Sequence, residues 1–171
     1  MAAVSGRVSV SKDCPLETEL RHVVALMQQK DGRFRVLNVT AEIQIKVPFH
    51  DIDVKGIVWH GNYLRYFEEA RAELLDKIGY GYFAMKDSGY AWPVVDARVQ
   101  YIKPLHLQQN IKVLARLVEY ERQLKIDYEI FDIESGERTT KGYTTQVAVD
   151  MGNNELCFAS PVILLEKLGI S

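Results

Sequence analysis

Apolar and polar residues alternate from Val39 to Val47 with the two-residue period of a strand that has one buried face. Residues 63–78 show the helical period instead, and Gly79 follows them as a stop signal. The apolar side of this segment is formed by Tyr63, Tyr66, Phe67, Ala70, Leu74 and Ile78. The pattern therefore predicts a strand followed by one helix with a broad apolar face.

The chain beyond this helix is predicted to form a series of strands separated by short turns. The predicted strands are residues 92–102, 111–120, 124–133, 139–150 and 156–158, and a last short helix covers residues 162–168. Short turns make neighbouring strands antiparallel. The elements thus predict an α+β domain in which an antiparallel sheet curls around a single helix.

The N-terminal segment carries a separate helical pattern. Its apolar positions are Leu16, Leu20, Val23, Val24 and Met27, with Gly32 as the stop signal. We therefore predict an N-terminal extension over residues 1–35, which contains a short amphipathic helix, and a main domain over residues 36–171. The start has no apolar signal region, and no stretch approaches the roughly 18 apolar residues that span a bilayer. No membrane insertion and a cytoplasmic location are expected.

Composition narrows the possible functions. The 171 residues are 47% hydrophobic and 26% charged, which is typical of a globular domain with its own core. Lys and Arg number 21 against 23 Asp and Glu, so no global field favours nucleic acid. Cys14 and Cys157 are too few for a disulfide framework or a thiolate zinc site, and we expect free thiols and no cofactor.

Chemically active side chains concentrate just before the predicted helix, at Asp51, Asp53, His60 and Asn62. A helix N-terminus offers unpaired N–H groups that can stabilise an oxyanion, and a nearby Asp can act as a base. Thioester hydrolysis requires both functions. On the residues alone, however, acids and asparagines at this position can equally be helix caps and turn residues, and a histidine beside aromatic residues can be a packing residue.

The same segment also allows a metal site to be considered. His50, Asp51 and Asp53 lie together, but no further ligand that would complete a site follows at a recognisable spacing. We therefore predict no metal.

The string HDIDVKGIVWHGNYLRYFEEAR resembles the signature of the hotdog-fold 4-hydroxybenzoyl-CoA thioesterase family, including its Tol-Pal-linked acyl-CoA thioesterase branch. The matching residues are Asp51, Asp53, Gly56, Val58, Trp59, His60, Asn62, Tyr63, Glu68, Ala70 and Arg71. Tyr101 and Pro104 resemble a further family loop, and the similarity covers about residues 40–168. The first 35 residues have no counterpart in the family pattern. The resemblance implies a hotdog fold, in which an antiparallel sheet wraps around a central helix.

The resemblance implies that Asp53 is the catalytic carboxylate, as a general base on water or as a nucleophile on the thioester carbonyl. It gives Asp51 a supporting role in shaping the loop. It also implies that His60 supplies a backbone N–H to the thioester oxygen, with assistance from its imidazole. Gly61 would let the substrate approach the helix end closely.

The remaining site residues are expected to bind the substrate. They are Gly61, Asn62, Tyr63, Trp59, Glu68, Lys103 and Arg122. Tyr63 and Trp59 either surround the acyl channel or are plain core aromatics. Glu68 is expected to pair with Arg71 three residues later. Lys103 and Arg122, together with Lys125, are candidates for the phosphates of CoA.

The expected partners are an acyl-CoA or acyl carrier protein substrate and further copies of the chain, as a homodimer or homotetramer. Two other functions stay open. A hotdog hydro-lyase would carry His five residues after its Asp, but Val58 stands there, which counts against it. A non-catalytic acyl-thioester-binding protein on the same fold is the third hypothesis.

Overall fold

The computed structural model describes residues 38–170. The strand and the helix that the hydrophobic pattern indicates most clearly are both present, as β1 (Thr40–Lys46) and α1 (Tyr63–Lys77). The helix predicted over residues 15–30 and the boundary predicted at residue 35 lie outside the described residues.

Strands of the described region form two antiparallel sheets. The larger sheet has five strands in the order β1-β4-β5-β6-β3, where β3 is Val94–Tyr101, β4 is Asn110–Glu119, β5 is Leu124–Asp132 and β6 is Arg138–Gln146. The smaller sheet has the order β2-β7-β8, where β2 is Tyr90–Ala91, β7 is Val149–Asp150 and β8 is Glu155–Leu156. Two short helices, α2 (Tyr82–Asp87) and α3 (Val162–Lys167), complete the fold.

One of the predicted strands is broken in the structure, and another is shorter than predicted. The strand predicted over residues 92–102 forms as β3, which begins only after Pro93, because proline has no N–H to donate to a sheet ladder. The strand predicted over residues 139–150 is split into β6 and β7, and each part joins a different sheet. The prediction of one continuous strand was wrong over residues 139–150, and β2 and α2 were not predicted at all.

Helix α1 packs on the inner face of the large sheet, mainly across β1 and β4. Its ring of Phe67 stacks on Tyr128 of β5, with the ring centroids 4.4 Å apart. The close approach requires Gly142 on β6, since a Cβ atom there would lie 2.7 Å from Phe67 Cε2 and 2.2 Å from the carbonyl oxygen of Arg98. The sheet thus curves around one long helix, which is the predicted α+β arrangement.

The C-terminus of α1 has the backbone geometry that its glycine predicts. Gly79 adopts a positive φ of 68°, its N–H donates to the carbonyl of Asp76, and the N–H of Tyr80 donates to that of Leu75. These two bonds form a Schellman motif and end the helix where the sequence indicated.

Strand β3 lies at one edge of the large sheet, and most of its side chains are exposed. Only Val99 is partly buried. One row of its backbone N–H and C=O groups therefore has no strand partner within residues 38–170, so this edge is open to a further strand. None of the helices in the same region has the length and apolar run needed to cross a membrane.

Candidate active site

A compact loop joins β1 to α1, and we call residues 47–62 the Asp53 loop. It contains two 3-10 turns, Phe49–Asp51 and His60–Asn62. Between them the chain forms a narrow hairpin, in which Ile52 pairs with Val58. The hairpin tip turns at Gly56, whose φ of 77° is one that L side chains rarely adopt. The glycine of the signature is thus explained by the backbone of this turn.

Asp53 stands at the first position of the hairpin tip and is half-buried. Its backbone N–H donates to the carbonyl of Ile57, and its side-chain Oδ1 accepts the N–H of Lys55 at 2.7 Å. Asp53 is therefore a turn residue, which is the role that the non-catalytic interpretation of this segment predicts. Its second oxygen, Oδ2, has no hydrogen-bond partner among residues 38–170, so one carboxylate oxygen remains open to a ligand.

An open pocket of about 420 Å³ lies beside this carboxylate. Residues around it include Asp53, Lys55, His60, Tyr63, Tyr101 and Lys103. The structure thus brings four of the predicted site residues to one cavity, although they come from the Asp53 loop, the helix and the end of β3.

The 3-10 turn just before α1 carries unpaired N–H groups. The N–H groups of His60 and Gly61 find no acceptor within the described residues, as expected for the first residues of a helical segment. Asn62 does not act as a side-chain cap; its Nδ2 instead donates to the carbonyl oxygen of Asp51 at 3.1 Å. Unpaired N–H groups at the positive end of a helix are of the kind that can bind a carbonyl oxygen or an oxyanion.

Two tyrosines fix the wall of the pocket. Tyr101 at the end of β3 donates its hydroxyl to the carbonyl oxygen of His60 at 2.9 Å. Tyr63 is buried, its hydroxyl accepts the N–H of Leu105 at 3.3 Å, and its ring meets that of Tyr101 edge to face. Burial raises the pKa of both tyrosines, so both hydroxyls keep their protons at neutral pH.

Trp59 and Glu68 were both predicted to bind the substrate, and the structure places both away from the pocket at Asp53. Trp59 is 50% exposed and lies against the ring of His60, so it is not a core aromatic. Glu68 pairs with Arg71, as predicted, and also accepts a hydrogen bond from Tyr82 of α2. Neither Trp59 nor Glu68 lines the pocket at Asp53.

The candidate phosphate ligands lie far apart. Lys103 lines the pocket, where it forms an ion pair with Glu137. The first residue of β4 pairs with the last residue of β1, so this end of the sheet lies next to the Asp53 loop. Arg122 follows the opposite end of β4. Since β4 is ten residues long, Arg122 lies roughly 30 Å from that end of the sheet. Within one chain, the structure does not bring Arg122 to the pocket.

One residue that was expected to have only a supporting role is prominent in the structure. Asp51 is only 1% exposed, and its carboxylate bonds to Arg65 and Tyr66 on α1. Its spacing from these partners is not a recognisable signal, because the loop between them has no regular period. Across residues 38–170, no three His, Cys, Asp or Glu side chains gather into a possible metal site.

The family model described as the thioesterase-like superfamily matches residues 47–166, which is more than half of the chain. The chain belongs to this thioesterase-like superfamily, and its fold is the hotdog fold. The matched region begins at the Asp53 loop and ends within α3.

Individual proteins show the same relationship. A Synechocystis protein named as a candidate esterase is 31% identical over 128 residues, which are 74% of this chain and 77% of that protein. A candidate acyl-CoA thioesterase of Bacillus subtilis, YneP, is 32% identical over 63% of this chain and 78% of its own length. The crystal structure of a DHNA-CoA thioesterase from Staphylococcus aureus superposes with a TM-score of 0.64 at 30% identity, over 70% of this chain and 80% of that one.

Proposed function

We propose that the chain hydrolyses the thioester of an acyl-CoA, with Asp53 as its catalytic carboxylate. The main support is the shared pocket: the open oxygen of Asp53 and the free N–H of His60 belong to residues that line the same cavity. Membership in the thioesterase-like superfamily supports the reaction class. The signature around Asp53 further supports placement in the 4-hydroxybenzoyl-CoA thioesterase branch.

The chemistry follows from these groups. The thioester carbonyl oxygen accepts hydrogen bonds from the N–H groups of His60 and Gly61, which stabilise the negative charge that it gains. In the general-base route, Asp53 takes a proton from water while the water oxygen bonds to the carbonyl carbon. The carbon–sulfur bond then breaks, and the thiolate takes up the proton from Asp53.

In the nucleophilic route, Oδ2 of Asp53 itself bonds to the carbonyl carbon and expels the thiolate. Water then hydrolyses the resulting mixed anhydride, which restores the carboxylate. Both routes release a free acid and a thiol. The geometry of Asp53 suits both routes, because Oδ1 accepts the N–H of Lys55 while Oδ2 has no partner among the described residues.

Substrate binding is assigned to residues around the pocket. Tyr63 lines the pocket and would contact the thioester end of the substrate. The ring of Trp59 occupies the space beside the Cα of Gly61, so Gly61 would contribute only its backbone N–H. Asn62 would hold the loop against the helix start, and Trp59 would also cover His60. Lys103 would attract the phosphates of CoA at the pocket rim. Glu68 is more distant and would contact only an extended acyl group.

The open edge of β3 supports a homodimer, either alone or within a homotetramer. Antiparallel pairing of two β3 strands would place the Val94 end of one copy beside the Tyr101 end of the other. Arg122 lies toward the Val94 end of the sheet, so Arg122 of a second copy would approach the pocket from outside. A cytoplasmic location stays a prediction.

The proposal is tested by following the release of free thiol from short-chain, medium-chain and aromatic acyl-CoA substrates, and from the matching acyl carrier protein thioesters. Wild type is compared with Asp53→Asn and with Asp127→Asn, which alters an exposed carboxylate on the outer face of β5. We expect turnover by wild type and Asp127→Asn, and its loss in Asp53→Asn.

Other outcomes decide between the remaining hypotheses. Binding of acyl-CoA without turnover of any thioester would contradict hydrolysis and leave the non-catalytic binder. Addition of water to an enoyl-CoA, with no thiol released, would favour the hydro-lyase.

A further inference from the structure

Asp51 is a buried carboxylate two residues before Asp53, and its side chain points into the protein rather than into the pocket. A carboxylate loses much hydration energy when it is buried, so it needs strong hydrogen-bond partners. These partners show which parts of the site Asp51 connects.

The carboxylate oxygens bind two consecutive residues of the first turns of α1. Oδ1 accepts a hydrogen bond from Arg65 Nη1 at 2.9 Å, and Oδ2 accepts one from the hydroxyl of Tyr66 at 2.7 Å. Burial and the bond to Asp51 raise the pKa of Tyr66, so its hydroxyl remains a proton donor throughout the neutral range. His50 Nε2 also lies 3.6 Å from Oδ1.

The backbone of Asp51 makes a second set of contacts. Its carbonyl oxygen accepts the N–H of Trp59 at 2.8 Å and the side-chain amide of Asn62 at 3.1 Å. Trp59 precedes and Asn62 ends the 3-10 turn that carries the free N–H groups of His60 and Gly61. Asp51 therefore bonds to the residues on either side of these N–H groups, while Asp53 follows two residues later along the chain.

Two anchors on neighbouring helix residues restrict rotation as well as distance. Arg65 and Tyr66 point about 100° apart around α1, so binding both at once fixes how the Asp53 loop is oriented on the helix. A single hydrogen bond would tether the loop without setting this orientation. The geometry between the Asp53 carboxylate and the helix N–H groups thus depends on Asp51.

We infer that Asp51 is a positioning residue, which sets the separation between the Asp53 carboxylate and the N–H groups at the start of α1 through its bonds to Arg65 and Tyr66. The inference rests on the proposed function. It assigns Asp51 a role in the reaction rate in addition to any role in folding. Small displacements of catalytic groups are known to lower rates by about 100-fold for a shift of about 1 Å.

The test compares kcat and KM for one acyl-CoA in wild type, Asp51→Asn, Tyr66→Phe and the double variant, well below their unfolding temperatures. We expect kcat to fall about 10-fold to 100-fold in Asp51→Asn, with KM changed less than about 3-fold, because binding is preserved while the reacting groups are misplaced. Tyr66→Phe should lower kcat by a smaller factor. The double variant should resemble Asp51→Asn, since both changes break the same link.

A matched control separates positioning from general loss of stability. Leu164→Ala removes a fully buried side chain from α3, which does not carry the pocket. It should lower the urea midpoint at least as much as Asp51→Asn does, with kcat within about 2-fold of wild type. The arginine contact offers a second check, because Arg65→Lys should recover part of the kcat that Arg65→Gln loses.

Failure of the inference can be distinguished from failure of the proposed function. If Asp51→Asn lowers the urea midpoint but leaves kcat within 3-fold of wild type, Asp51 is a structural residue only and the inference fails while the proposed function stands. If Asp51→Asn does not fold, an unchanged kcat in Tyr66→Phe overturns the inference, and a reduced kcat at constant KM supports it. If wild type hydrolyses no thioester, the proposed function fails, and the inference fails with it.

Discussion

The hydroxyl of Tyr101 donates a hydrogen bond to the carbonyl oxygen of His60, 2.9 Å away. This bond joins the end of the edge strand β3 to the turn that precedes α1. It orients the peptide between His60 and Gly61, whose N–H is one of the free donors at the helix start. The position of the helix N-terminus therefore depends on the sheet edge as well as on the Asp53 loop.

Removing this bond tests its contribution. Tyr101→Phe keeps the ring that packs on Tyr63 and deletes only the hydroxyl. We expect kcat/KM for an acyl-CoA to fall about 2-fold to 12-fold, which corresponds to the net value of about 0.5–1.5 kcal/mol for one hydrogen bond. Tyr143→Phe, on the outer face of β6, is the control and should leave kcat/KM unchanged. Equal effects of the two variants would contradict the role given to Tyr101.

Substitution of Lys103 tests whether the phosphates of CoA are bound at the pocket rim. Lys103→Ala should raise KM several-fold for an acyl-CoA, because one cation near the phosphates is lost. KM for the corresponding acyl-pantetheine, which lacks the nucleotide, should stay constant. Lys141→Ala, on the outer face of the sheet, is the matched control. A parallel rise in KM for both substrates would show that Lys103 acts on the pocket shape instead.

Gly142 tests the packing of α1 on the sheet. A Cβ atom at this position would lie 2.2 Å from the backbone oxygen of Arg98, which cannot move without distorting β3. We expect Gly142→Ala to lower the free energy of unfolding by about 1–3 kcal/mol, measured by urea denaturation. Gly152→Ala is the control, since its nearest neighbour is the carboxylate end of the Asp150 side chain at 3.1 Å rather than backbone, and it should cost less than about 1 kcal/mol. Similar costs for the two variants would contradict the tight helix–sheet contact.

The stability of the fold in acid should depend on the lowered pKa of Asp132, at the turn between β5 and β6. The N–H of Ser135 donates to this carboxylate, and with further bonds from Gln109 and the Ser135 hydroxyl it lowers the pKa of Asp132 from 3.8 to about 2. A depressed native pKa stabilises the fold above the unfolded value and ceases to do so as pH falls through the native value. The difference in urea midpoint between wild type and Asp132→Asn should therefore shrink between pH 4 and pH 2. A difference that stays constant over this range would contradict the lowered pKa.

The sequence predicted the parts of the fold that a regular period defines. Helix α1 spans Tyr63–Lys77 against a prediction of residues 63–78, because its apolar stripe repeats over four turns and Gly79 can adopt the positive φ that ends it. The period of two likewise identified β1. The break after Gln146 was missed, since it depends on which sheet the following residues join.

Short elements and buried polar residues were beyond this kind of prediction. Helix α2 has only six residues, too few for a helical period to emerge from a tyrosine-rich segment. Asp51 was expected, from the resemblance, to have a supporting role in shaping the loop, and its burial was not predicted because acids are normally exposed. Its burial depends on Arg65 and Tyr66, which come close only when the loop folds back on the helix.

The site itself was predicted from the resemblance more than from the residues. Asp53, His60, Tyr63 and Lys103 do line one pocket, whereas Arg122 lies at the far end of the sheet of the same chain. Lysines and arginines carry no sequence pattern that reports which strand end they reach. Arg122 thus stays a prediction that needs a second copy of the chain.

The central claim is that Asp53 performs the chemistry, and a single-turnover experiment tests it most directly. Enzyme in excess over an acyl-CoA is mixed rapidly, and the rate constant for thiol release is compared between wild type and Asp53→Asn. The binding affinity of the variant for the same acyl-CoA and its far-ultraviolet circular dichroism are measured alongside. We expect a rate constant lower by about 100-fold to 10,000-fold, with affinity and fold retained. A folded Asp53→Asn variant that releases thiol within 10-fold of the wild-type rate would contradict the account.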